Sequence, residues 1–141
     1  MYHKIILVGN LGRDPEMRYL PSGQQVTNFS MATSENWTGQ DGSKQERTIW
    51  WRVGVFGKMG EACNTYLKKG SKVLVEGRMN ADPKTGNPRT FTRQDGTVGA
   101  SFEVTAAAVK FLSSRAESGG GQPGGEVMEA DAPAEEGEIP F

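Results

Sequence analysis

Only one stretch of this chain has a helical period, and the apolar residues on either side of it alternate. Met59, Ala62, Cys63, Tyr66 and Leu67 fall at i, i+3, i+4, i+7 and i+8, with Lys68 and Lys69 in the expected last turn and Gly70 as a C-cap. The remaining apolar segments read as strands: Lys4 to Leu11, a short piece from Glu16 to Leu20, Val26 to Thr33, Thr48 to Phe56, Lys72 to Met79, and a last one within Val98 to Leu112. Turn clusters such as Gly12-Arg13-Asp14-Pro15 and Pro21-Ser22-Gly23 separate them. Residues 36–46 read as an exposed polar loop and residues 80–97 as a long hairpin loop. With the short piece set aside, five strands with one helix between the third and fourth is the order of an OB-fold barrel, an all-β class.

The foldable pattern stops near residue 112. From 113 to 134, Gly, Pro, Ser and acid replace every large hydrophobe except Val127 and Met128, a composition that predicts a disordered linker. Residues 135–141 set Glu135, Glu136 and Glu138 beside Ile139, Pro140 and Phe141, an acidic tip with two apolar anchors. Three units are therefore expected: a domain over 1–112, a linker over 113–134 and a protein-interaction tip over 135–141. Charge divides at the same place. Residues 1–112 hold 15 Lys and Arg against 10 Asp and Glu, whereas 113–141 hold one against seven, so a net charge of −1 conceals a basic domain and an acidic tail.

Composition also narrows the chemistry. One cysteine, Cys63, excludes an intrachain disulfide and a zinc-ribbon spacing, and one histidine, His3, leaves little for a nucleophile–base pair or a metal site. Gly9, Gly12, Gly57 and Gly77 do not have the spacing of a phosphate-cradling loop. The expectation is a binding protein, not an enzyme, with no cofactor and no metal. With no long apolar run and no basic-then-apolar leader at Met1-Tyr2-His3-Lys4, a cytoplasmic location is expected.

The third strand carries the chemistry. Side chains alternate along a strand, so Ile49, Trp51, Val53 and Val55 face one way and Trp50, Arg52, Gly54 and Phe56 the other. The first set is a hydrophobic wall; the second offers an aromatic, a cation, a gap and an aromatic. Bases stack on aromatic faces while nearby cations follow the phosphates, so this face suits a single strand of nucleic acid. A strand buried on both faces is the competing explanation for Trp50 and Phe56. Trp37 stands among polar residues with little to bury it, and Phe91 lies between Arg89 and Arg93 in the loop before the last strand; Phe91 folded back on its own loop is the alternative there. A protein adaptor using Trp37 and Trp50 as anchors, or an RNA-binding barrel, remains open from these residues alone.

Several longer stretches are familiar: Ile6-Leu7-Val8-Gly9-Asn10-Leu11-Gly12-Arg13-Asp14-Pro15, Ala32-Thr33-Ser34-Glu35-Asn36-Trp37, Trp50-Trp51-Arg52-Val53, Phe56-Gly57-Lys58, Tyr66-Leu67-Lys68-Lys69-Gly70 and the closing Ile139-Pro140-Phe141. Together they resemble the bacterial single-stranded DNA-binding protein family, densely over residues 3–79. The resemblance implies a homotetramer of OB folds that wraps single-stranded DNA without sequence preference, protects replication, recombination and repair intermediates, and recruits replication and repair proteins through the tip. It places Trp37, Trp50 and Phe56 at the base-stacking positions. The family often has a tryptophan where this chain has a longer loop before Phe91, and several aspartates where it has Glu135, Glu136 and Glu138.

Overall fold

The computed structural model describes residues 1–113; the linker beyond Ser113 and the tip, with Glu135, Glu136, Glu138, Ile139, Pro140 and Phe141, lie outside the described residues. Along the chain run β1 (Ile5–Leu11), β2 (Glu16–Tyr19), β3 (Gln25–Thr38), β4 (Lys44–Phe56), α1 (Gly57–Tyr66), β5 (Lys72–Asn80), β6 (Thr90–Thr92), β7 (Val98–Ala100) and β8 (Phe102–Phe111). The main sheet has the order β1-β5-β8-β4-β3-β2, and a further pairing of β1 with β3 closes it. The barrel is therefore β1, β3, β4, β5 and β8, with β2 added on the outside of β3. α1 stands between the third and fourth barrel strands, as the sequence predicts.

Closure between β1 and β3 involves Asn10 opposite Ala32 and Leu11 opposite Met31, so the rest of β1 keeps one edge free. β4 and β8 run parallel, from Trp51 opposite Phe102 to Gly54 opposite Thr105; the other pairings within the main sheet are antiparallel. The core fills from alternate strand positions: Leu7, Phe29, Met31, Val53, Val55, Val73, Val75 and Val104 point inward. α1 plugs one end with Cys63, and the buried Thr27 hydroxyl donates to the Gly60 carbonyl at 2.7 Å, fixing the helix to β3. Burial pushes the Cys63 thiol up to about 11, consistent with a packing role.

Three boundaries differ from the sequence expectation. Residues 36–46 are not a loop: β3 and β4 continue through them as a ribbon, paired from Val26–Phe56 out to Thr38–Lys44, and the turn covers only 39–43. The Asp41 carboxylate closes that turn, accepting from the Ser43 amide at 3.0 Å and the Ser43 hydroxyl at 2.6 Å, bonds that hold its pKa below the usual carboxylate value. The helix ends earlier than its apolar period. Leu67 is extended and acts as the C-cap, so Lys68 and Lys69 lie beyond the last turn, and Gly70 (φ +88°) serves the following turn instead. Leu67 is still buried, which is why its spacing looked helical. Finally, the predicted loop 80–97 contains β6, whose partner β7 is separated from β8.

Candidate nucleic-acid interface

The alternation expected along β4 is present residue by residue. Trp51, Val53 and Val55 are buried, while Trp50 is 56% and Phe56 38% exposed, so these two aromatics do not belong to a strand buried on both faces. Trp51 fills the barrel: its ring lies 5.2 Å from that of Phe102, and its indole N–H donates to the Thr33 hydroxyl at 2.9 Å. Six steps along β4 separate Trp50 from Phe56, roughly 20 Å at strand rise. Between them the outer surface is polar. Register sets Ser30, Arg52, Glu103 and Asn80 in one row and Asn28, Gly54 and Thr105 in the next.

Trp50 has a seat. A side chain at Gly12 would overlap its indole, so the ring rests on the bare backbone of the β1–β2 turn while the residue stays more than half exposed. Arg13, next in that turn, lines the groove on both sides of Arg52, together with Arg18 near Phe56. Neither Arg13 nor Arg52 forms an ion pair among the described residues. Gly12 and Arg13 were not singled out by sequence reasoning, because what marks them is their position under a residue 38 positions away along the chain.

The β6–β7 hairpin stands across from Trp50, and Phe91 lines the same groove as Trp50, Arg52 and Phe102. Phe91 also lies against its own hairpin: a Cβ on Gly99 would come within 2.7 Å of its ring and 2.8 Å of the Arg93 guanidinium. Arg93 sits 5.5 Å from the Phe91 ring centroid and donates to the Thr97 hydroxyl and the Val98 carbonyl at 3.3 and 3.2 Å. Phe91 is thus folded on its own loop, as the alternative expected, while it stays 44% exposed and lines the groove. Arg89 pairs with Glu103 at 3.9 Å. Arg93 and Arg89 are therefore engaged with protein, whereas Arg52 has its charge available.

Trp37 is placed differently. It lies opposite Gln45, on the ribbon face shared by Glu35, Arg47, Thr33 and Ile49, while Trp50 shares the other face with Ala32. It is exposed, and the Arg47 guanidinium lies 5.0 Å over its ring, steered by Glu35 at 3.7 Å. Arg47 was missed because the sequence shows no alternation where a ribbon has water on both sides.

Among the described residues there is no group of three or more His, Cys, Asp and Glu placed to hold a metal ion, and no helix long and apolar enough to cross a membrane.

A model of the Single-strand binding protein family matches residues 2–112, the whole barrel with its hairpin. The chain belongs to that family. A single-stranded DNA-binding protein of Neisseria meningitidis is 41% identical over 121 residues, covering 86% of this chain and 66% of that protein. One from Wolinella succinogenes is 40% identical over 132 residues, 94% of this chain and 77% of the relative. This chain thus spans about two thirds to three quarters of the length of these two relatives. Among solved structures, a Plasmodium falciparum SSB complex with ssDNA superposes with a TM-score of 0.65 at 25% identity, covering 80% of this chain and 97% of that one. A small single-stranded DNA-binding protein from Streptomyces coelicolor gives 0.63 at 22% identity over 78% and 94%, a likeness of fold.

Proposed function

We propose that this chain binds single-stranded DNA without requiring a fixed sequence, stacking bases on Trp50, Phe56 and Trp37 and neutralising phosphates with Arg52 and Arg13. Phe91, held by Arg93 and anchored near Arg89, closes over the strand from the hairpin. The observation that carries the reading is the outer face of β4: two exposed aromatics about 20 Å apart, a cation without an ion pair among the described residues between them, and Trp50 seated on Gly12. Membership of the single-strand binding protein family supports it. Titration with poly-dT tests it: stacking quenches the tryptophan emission, and log K falls with log salt at a slope near −0.7 per neutralised phosphate. Unchanged emission at saturating poly-dT rejects the reading.

The working unit in this proposal is a homotetramer. Two features favour self-association: β1 keeps a free edge over most of its length, and Ile6 and Val8 on it are 59% and 47% exposed. An open apolar strand edge is a template for pairing, and a copy of the same edge satisfies it isologously. Sedimentation at micromolar concentration gives a tetramer mass in this reading and a monomer mass against it.

The acidic tip completes the proposal. Ile139 and Phe141, with Pro140 between them, enter an apolar pocket on a replication, recombination or repair protein, while Glu135, Glu136 and Glu138 meet cations on its rim. Such contacts are weak singly and gain by avidity when several tails are joined. The setting is the bacterial cytoplasm, at the nucleoid. Pull-downs comparing the full chain with one lacking Phe141 and one carrying Gln at the three glutamates check this; equal recovery of partners from all three rejects it.

A further inference from the structure

We propose that Glu103 reads base edges, acting as a fixed acceptor on the groove floor that favours bases with an exocyclic amino group, cytosine above thymine. The inference rests on the single-strand reading given above. Glu103 lies next to Arg52 across the β4–β8 pairing and next to Asn80 across β5–β8, in the middle of the polar floor between Trp50 and Phe56. A carboxylate there is unexpected for a surface that must attract phosphates. Its side chain is 21% exposed, the least of any ion-paired side chain among the described residues.

The group is oriented, not merely tolerated. One carboxylate oxygen accepts from the Ser101 hydroxyl at 2.9 Å, and the other faces Arg89 at 3.9 Å. A carboxylate has about four lone-pair sites, so these contacts leave acceptor capacity on a side chain that lines the groove with Arg13, Arg52 and Phe56. A phosphate passing over Glu103 is repelled, which turns the backbone toward Arg13 and Arg52 and the base edges toward the floor. Cytosine presents an N4 amino donor, whereas thymine presents its O4 acceptor at the equivalent place. Donor meets acceptor in one case and acceptor meets acceptor in the other.

Equal-length dC and dT oligomers, titrated against the full chain by tryptophan quenching, test this. Glu103→Gln tightens binding to both oligomers through the lost repulsion, but lowers the ratio of dC to dT affinity by about five-fold, the lower end of what a base-edge contact discriminates. Glu103→Asp retains the charge and withdraws it by one methylene; it lowers the same ratio without the general gain. A thermal melt of each variant establishes that it is folded. A ratio unchanged in both folded variants overturns the inference while leaving the single-strand reading intact, whereas a wild-type chain that binds neither oligomer overturns that reading first.

Discussion

The barrel wall and the β6–β7 hairpin each present an aromatic to one groove, and they hold it by different means. Trp50 and Phe56 stand on β4, whose opposite face carries Trp51, Val53 and Val55 into the core, so their positions are set by the packing that folds the protein. Phe91 stands on a hairpin in which Gly99 alone is buried, held by Arg93, Thr97 and the hairpin backbone. The wall is fixed before any ligand arrives. The hairpin's order is local and separable from global stability. A binding surface of this design pairs a rigid platform with an arm that reshapes at little cost to the fold.

The strongest way to break the comparison is at Trp51. Trp51→Ala removes a buried ring and its hydrogen bond to Thr33, and about 3–5 kcal/mol of stability goes with it. Chemical denaturation measures that loss, and a variant as stable as the parent shows that the wall does not depend on its inner face. Trp50→Ala, one residue away, instead leaves the denaturation midpoint nearly unchanged and weakens poly-dT binding by roughly 1–3 kcal/mol. Gly12→Val tests the same seat from beneath, since the new side chain displaces the indole; affinity falls while stability changes less than in Trp51→Ala. On the hairpin, Gly99→Val pushes Phe91 and Arg93 off their support. Binding loss there is smaller than for Trp50→Ala, with no change in global unfolding.

The smallest effect is on acid titration. Asp95 accepts from the Thr97 amide at 2.9 Å and the Thr97 hydroxyl at 2.6 Å, which hold its pKa below the ordinary carboxylate value, as Ser43 does for Asp41. A lowered folded-state pKa contributes stability that is present above the unfolded value and lost as pH falls through the folded one. Titration by NMR therefore gives midpoints for both aspartates below the ordinary carboxylate value, and the two turns loosen only in that acid range while the barrel persists. Midpoints at or above the ordinary value contradict the turn geometry.

The parts of the fold that touch the core were legible in the sequence because burial on one face enforces alternation. In β4, Ile49 to Phe56 read correctly for that reason. Beyond Ile49 the β3–β4 ribbon leaves the barrel, both faces meet water, and the polar run from Asn36 to Glu46 carries no period to read. Leu67 misled for the opposite reason, since an apolar residue at helical spacing is buried just past the end of its helix. At the site, Trp50, Arg52 and Phe56 were found because one strand delivers all three. Gly12 and Arg13 come from the β1–β2 turn, Glu103 from β8, and Arg47 from the ribbon end of β4, whose register pattern alone does not specify. Trp37 and Trp50 both stood out as aromatics, but only the pairing of Trp37 with Gln45 reveals that they occupy opposite faces.

The way β1 is held has a consequence for synthesis. Its long partner is β5, with Ile5 opposite Gly77, and β8 must lie between β5 and β4 before the cylinder is complete. A growing chain therefore carries its first strand without that partner until residue 77 emerges, several seconds at about 5–20 residues per second. Over the same interval Met31, Trp51 and Val53 of the β3–β4 ribbon lack the β5 and β8 side chains that bury them in the complete fold. Nascent chains halted before Phe102 should thus bind chaperones and expose sticky surface, and release past Phe111 should end both at once.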